Sequence, residues 1–244
     1  ISRILEGDRE FANLKNGRGE VHHQWAAFRN SFDSFETPAE KIRELGWFVI
    51  WISAGIFVVV EGFLVLTIVR CRRRNDIAGE PVQLYGSNPI ELAWTFVPVL
   101  IVGVLCLVTI RTINEVQLTE PPEGALEVQV IGHQWWWEFR YPDHGVVTAN
   151  ELVVPADTPI WLKMTSADVI HSFWVPRLCG KTDLIPNRLN FLWFQTVEEG
   201  WFYGQCAEYC GNQHANMLLG VEVRSAASFD AWIKAQKAPA VVST

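Results

Sequence analysis

Between Gly204 and Met217 the sequence reads GQCAEYCGNQHANM, and it gathers four soft donors into one short stretch. Cys206 and Cys210 stand four residues apart, His214 follows four later, and Met217 three after that. The chain has 2 methionines and 6 histidines, so one of each here is a concentration to explain. Thiolate, imidazole and thioether together select copper over magnesium, calcium or manganese. A single-copper electron-transfer site uses two histidines, one cysteine and a weak methionine. This loop has one cysteine too many for that and one histidine too few. Two thiolates can each bridge two metals, so the surplus sulfur points to a pair of coppers sharing an electron. The missing histidine must come from elsewhere, and His171 in SADVIHSFWVP is the best candidate, at the end of an apparent strand among aromatic residues. His133 begins a tryptophan-rich strand and His144 sits in a PDHG turn, which makes both poorer choices. His22 and His23 lie in a polar N-terminal stretch.

Two other readings use the same cysteines. A structural disulfide between Cys206 and Cys210 leaves His214 and Met217 unexplained. A structural zinc site on Cys206, Cys210, His214 and His171 leaves Met217 unused. Cys71, Cys106 and Cys179 have no ligand-type neighbours at useful spacing and read as spare thiols. Five cysteines is an odd number, which excludes a fully paired framework.

The elements that must position these donors follow Pro121 and Pro122, where the pattern turns to short alternating segments. LEVQVIG, HQWWWEFRY, NELVVPADTPIWLKMTS, NRLNFLWFQTV, GWFYGQC and MLLGVEVRS are separated by Gly, Pro or Asn. Strands at this spacing predict an antiparallel Greek-key sandwich or barrel over residues 112–224. SAASFDAWIKAQKA predicts a short helix within a C-terminal segment, 225–244, whose last residues fray.

Upstream lie two apolar runs, Leu45 to Val69 and Ile90 to Ile110. Each has the length that a helix needs to cross a bilayer and is apolar on all faces. They predict a transmembrane hairpin over 45–111, with helices at about 45–69 and 90–110, so the fold class is membrane α joined to all-β. Trp47, Trp51 and Trp94 suit the lipid boundary, and Pro98 predicts a kink. Arg70, Arg72, Arg73 and Arg74 follow the first run, and positive loops stay on the cytoplasmic side. Both termini, the polar segment 1–44 and the β domain are then expected outside. Glu61 and Glu91 are ionisable groups in or near apolar runs, which points to a partner contact or a proton path.

The net charge is −7, and 14 acidic against 8 basic side chains lie from Glu120 onward. This argues against nucleic acid as a partner and for a basic protein facing the β domain. The chain opens at Ile1 rather than methionine, so either residues were removed or the start lies outside this stretch. The first forty-odd residues carry no signal-peptide pattern.

The order Cys-x-Glu-x-Cys-x-x-x-His-x-x-Met resembles the copper A motif of subunit II of cytochrome c oxidase. ADVIHSFWVPRLCGKTDLIPNRLN, GHQWWWEFRY and IELAWTFVP resemble that family's first-histidine segment, aromatic region and second membrane helix. The likeness spans roughly residues 45 to 235. It implies a cupredoxin-like copper domain in which Cys206 and Cys210 bridge two coppers. His171 and Met217 would complete one copper, and His214 and the main-chain carbonyl of Glu208 the other. It also implies that the Glu208 side chain reaches a magnesium ion shared with the catalytic subunit. Trp135 matches the tryptophan through which electrons come in, and Glu91 the mouth of a proton channel. Asp168 and Asp183 match acidic positions near the docking face and the subunit interface. The resemblance implies an oxidoreductase subunit with no catalytic residue of its own, seated in the bacterial inner membrane or its equivalent. Cytochrome c would be the donor, and catalytic subunit I, with haem and copper, would reduce dioxygen and pump protons beside other oxidase subunits. Arg140 departs from a position that is often acidic, and Cys179 from a usual glycine. There is no Cys-x-x-Cys-His, so any cytochrome is separate or lies past residue 244. The alternatives are the copper-bearing subunit of a nitric oxide reductase and a membrane-tethered single-copper carrier.

Overall fold

A computed structural model describes residues 38–72, 83 and 85–237. Most of the polar N-terminal segment, Arg73, Arg74 and the last seven residues therefore lie outside the described residues.

Helix α1 runs Ala39–Arg70 and helix α2 Asn88–Val116. At 32 and 29 residues, both exceed the ~20 needed to span a hydrocarbon core. The apolar runs alone predict shorter helices. AEKIRE before the first, rich in strong helix formers, and RTINEV after the second continue them as charged turns that can stand outside hydrocarbon. Lys41 Nζ lies 3.6 Å from the Glu115 carboxylate where these flanks meet. Large apolar side chains of both helices, Trp51, Phe57, Phe63, Leu92, Phe96 and Leu107 among them, point into the surroundings. That pattern makes sense only if lipid or another protein replaces water there. Helix α2 passes through Pro98 unbroken, and Glu91 lies in its exposed first turn.

The β domain is a sandwich of two five-stranded sheets. Its strands are β1 (Leu126–His133), β2 (Trp136–Tyr141), β3 (Val146–Ala149), β4 (Glu151–Pro155), β5 (Ile160–Ser166), β6 (His171–Trp174), β7 (Thr182–Leu184), β8 (Asn190–Phe194), β9 (Gly200–Cys206) and β10 (Leu218–Arg224). One sheet has the order β3-β2-β1-β5-β8 and the other β4-β10-β9-β6-β7. The pairs β1/β5 and β4/β10 are parallel and all others antiparallel. Alternation sends Val128, Val130, Phe139, Leu162, Phe194 and Val221 into the space between the sheets, where each is fully buried. Tyr141 pins one sheet to the other: its hydroxyl donates to Val153 O and accepts from Val153 N–H, both at 2.9 Å. Complete burial pushes its phenol pKa well above the ordinary value. Helix α3 (Ala226–Lys237) turns Phe229 and Ile233 inward, and Trp232 packs edge-on to Tyr141 at 5.5 Å.

The aromatic run differs from the expected single strand. β1 continues to His133, and Gln134 and Trp135 form a tight turn before β2 begins at Trp136. Trp135 and Trp137 therefore do not share a face. Trp137 is fully buried, while Trp135 and Trp136 keep about a third of their surface open. His133 stacks on Trp136 at 4.3 Å, and its Nε2 lies 2.9 Å from Glu138.

Glu138 also takes a hydrogen bond from Arg140 Nε at 2.5 Å. Arg140 is thus held by an inner carboxylate. Burial alone would raise the Glu138 pKa, but Arg140 and His133 outweigh it and hold the carboxyl below its ordinary range. A depressed folded-state pKa adds stability above the unfolded value, and that stability is lost as pH falls through the folded one. Glu138→Gln should therefore cost about 1–3 kcal/mol at neutral pH, the usual worth of a hydrogen bond to a charged group. The deficit should shrink as pH falls below the ordinary glutamate range, which thermal unfolding of both proteins across pH would read.

Candidate metal centre

Three segments bring the donors together. β9 ends at Cys206, whose N–H donates to Met217 O at 3.0 Å, so the two residues form the neck of the loop between β9 and β10. Inside that loop Gly211 takes φ +119°, in the range that favours glycine, and His214–Asn216 form a single 3-10 turn. The third donor segment is β6, which pairs with β9 through Phe173 opposite Cys206. His171 opens that strand rather than ending one, and it lies just beside Cys206.

The donor atoms converge. Cys206 Sγ is 3.8 Å from Cys210 Sγ, 3.9 Å from His171 Nδ1 and 3.2 Å from Glu208 O. Cys210 Sγ is 3.6 Å from His214 Nδ1 and 3.8 Å from Met217 Sδ. The cysteines are free thiols. Their separation is less than the roughly 4.6 Å spanned by two metal–thiolate bonds, so both can reach one ion. His171, Cys206, Cys210 and Met217 are buried, His214 is half-buried, and the Glu208 side chain is exposed. A sulfur- and imidazole-rich pocket with water shut out fits a soft metal and not a hard, oxygen-seeking one.

The surroundings fix the ligands. His171 Nε2 bonds Asp168 Oδ1 at 2.8 Å, which leaves the Nδ1 lone pair facing the sulfurs. Trp137 packs edge-on against the same imidazole at 6.1 Å. Asp168 also accepts the N–H of Val169 and of Gln134, each at 2.6 Å. Burial would raise the Asp168 pKa, but these donors lower it overall. Burial likewise works to lower the His171 pKa, and Cys206 and Asp168 raise it overall.

The two thiols differ. Burial pushes Cys206 up, but His171 and neighbouring donors bring it down to about 7. Burial and then the Cys206 thiolate push Cys210 up to about 12. Cys206 is thus the easier thiol to deprotonate, and the positive charge of a bound ion would favour the thiolate at Cys210.

Trp135 Nε1 and Gln134 Nε2 both donate to Cys210 O, at 3.0 and 2.8 Å. The main chain of Gly132 lies against His171: a Cβ there would come within 2.8 Å of His171 Cδ2. Neither Gln134 nor Gly132 stands out in the sequence as part of a site. Strand register is what brings them in. The remaining expected residues lie apart from the donors. Asp183 is half-buried in β7, and its main-chain oxygen accepts from Asn190 Nδ2 at 2.6 Å. His144 packs edge-on to Phe229 at 5.9 Å. Cys179 is buried, its thiol pKa raised to about 12 by burial.

Fold and site together define a class: a membrane-anchored cupredoxin-like domain with a soft-metal centre at one end of its sandwich. The family model described as cytochrome c oxidase subunit II, periplasmic domain, matches residues 145–224. That for the transmembrane domain of the same subunit matches residues 25–112. Cytochrome c oxidase subunit 2 of Cereibacter sphaeroides is 30% identical over 235 residues, covering 80% of this chain and 76% of that one. Its counterpart in Bacillus subtilis is 36% identical over 218 residues, covering 82% of this chain and 61% of that one. The crystal structure of the periplasmic domain of subunit II of cytochrome oxidase of Bradyrhizobium japonicum is 36% identical in sequence. It covers 48% of this chain and 97% of that chain, with a TM-score of 0.47. The chain belongs to the cytochrome c oxidase subunit II family. It is the electron-accepting subunit of that oxidoreductase.

Proposed function

We propose that Cys206, Cys210, His171, His214, Met217 and the main-chain carbonyl of Glu208 hold a binuclear copper A centre. There the subunit takes electrons from cytochrome c on their way to haem in catalytic subunit I, where dioxygen is reduced and protons are pumped. The observation that carries this reading is the pair of free thiol sulfurs 3.8 Å apart, with different donors on either side. A single-copper carrier would have no use for the second. Copper held by these residues would supply one-electron chemistry, and the two thiolates between the donor sets would let the charge of that electron spread over both metals.

The chain's own residues supply the rest. Two packed sheets keep the donors from rearranging, and burial keeps water out. Asp168 sets the tautomer of His171. The Trp135 indole is partly open to solvent and bonded to the Cys210 carbonyl, which supports its role as the point where electrons come in. The exposed Glu208 side chain supports a magnesium site shared with the catalytic subunit. Glu91, at the start of α2, supports a proton-channel mouth there. Asp168 keeps 31% of its side chain exposed and so can also serve the docking face, with Asp183 at the subunit interface. The arginines after α1 support a helix–helix loop in the cytoplasm, with the copper domain and both termini on the other side. Excess acid in the β domain steers a lysine-rich cytochrome, an attraction that weakens as salt rises.

An electron paramagnetic resonance spectrum of the oxidised protein, together with copper per chain, tests the reading. Two coppers, and hyperfine lines from one spin over two nuclei, support it. One copper per chain would make this a single-copper carrier. Because the matched relatives are oxidase subunits, a nitric oxide reductase is not favoured, and the catalytic subunit that copurifies decides.

A further inference from the structure

We infer that Gln134 is a positioning residue that straps the two ligand-bearing segments together. The inference rests on the copper reading for its meaning, but not for its test. His171 arrives on β6, whereas Cys210 sits in mid-loop, away from the β9–β10 ladder that holds Cys206 and Met217. The turn between β1 and β2 reaches both segments. On one side the Gln134 N–H donates to Asp168 Oδ2 at 2.6 Å, and Asp168 Oδ1 is 2.8 Å from His171 Nε2. On the other, Gln134 Nε2 donates to Cys210 O at 2.8 Å. One residue therefore links Cys210 to His171 through three consecutive hydrogen bonds. The fit is close: a Cβ on Gly211 would lie 3.1 Å from Gln134 Nε2. Strand β1 is rigidly paired on both edges, so the turn is a fixed post from which both segments are held. The amide type matters as well. A glutamate of the same shape would set a carboxylate against the Cys210 carbonyl and could not donate to it.

A residue serving only to touch the donor cytochrome would leave the site itself unchanged when altered. The test uses the full chain in detergent and two readouts besides activity. The first is the rate at which loaded copper passes to an excess of chelator. The second is amide hydrogen exchange of residues 207–214 in the metal-free chain. Gln134→Ala should speed copper release by about 10-fold or more, within the 10–100-fold range usual for losing a partner behind a metal ligand. It should also raise exchange across 207–214. Gln134→Glu should do at least as much. Asp168→Ala should raise exchange in 207–214 although Asp168 touches none of those residues. The double variant should fall short of the product of the singles, because both act through one chain of bonds. Gln134→Met keeps the volume without the donor and serves if the alanine variant does not fold. Release and exchange both unchanged within twofold, or single effects that simply multiply, would overturn the strap. A wild-type chain that bound no copper would sink the copper reading, while the exchange arm would still decide the strap.

Discussion

Cys210→Ser is expected to cut copper from two per chain to one or none and to slow electron uptake by at least ~100-fold. That exceeds the range typical for losing a contact behind a ligand. The reason lies in where this sulfur stands. Cys210 Sγ is within 3.8 Å of Cys206 Sγ, His214 Nδ1 and Met217 Sδ alike. Cys206 reaches instead toward His171 and the Glu208 carbonyl. Cys210 is thus the junction between the two halves of the donor set. A serine hydroxyl is harder, has a shorter reach and stays protonated at neutral pH, so it cannot bridge soft ions. The sandwich should survive, because the serine differs by one buried atom and the ladder through Cys206 and Met217 is intact. Elemental analysis, the paramagnetic signal and rapid-mixing reduction by cytochrome c together read the outcome. Electron uptake at the wild-type rate, with two coppers retained, would mean that this sulfur does not bridge. The assignment of the whole loop would then fall.

How far the sequence reaches depends on how local each feature is. Cys206, Cys210, His214 and Met217 sit within one loop, so their spacing alone announces soft-metal chemistry. The membrane runs are legible because apolar length is a property of a single segment, although their ends are not: charged turns extend both helices beyond the hydrocarbon-sized runs. His171 is 35 residues from Cys206 and joins it through the β6–β9 pairing, so spacing makes it a candidate and no more. The aromatic run misleads because Gln134 and Trp135 are ordinary strand-compatible residues. Nothing in HQWWWEFRY carries the Gly, Asn or Pro that usually marks a turn. The strands of three or four residues, β3, β6 and β7, are too short to show an alternating pattern. Asp168 reads from the resemblance as a surface charge, but its carboxylate accepts two main-chain N–H groups and meets the His171 ring, and that arrangement exists only after folding.

Gly132 offers the sharpest test of whether folding geometry sets the site. In sequence it is an unremarked small residue near the end of β1. In the structure it lies opposite Trp137 across the hairpin and presses its main chain onto His171. A methyl group added there would meet His171 Cδ2 at 2.8 Å and Cγ at 3.1 Å. The imidazole has nowhere to go: it is fully buried, fixed by Asp168 and flanked by Trp137. Gly132→Ala should therefore cost about 1–3 kcal/mol in overpacking. More tellingly, it should swing Nδ1 away from the sulfurs and weaken copper binding by at least ~10-fold, as disturbing a ligand's support does elsewhere. The backbone at Gly132 is ordinary extended strand, so alanine adds no conformational strain and the effect isolates the contact. Copper affinity and the hyperfine pattern should change while the circular dichroism of the β domain stays near that of the parent. If alanine bound copper as tightly, with an unchanged spectrum, the imidazole would not be held where the strands put it. Rigid positioning of His171 by β1 would then have to be abandoned, even with the cysteine loop intact.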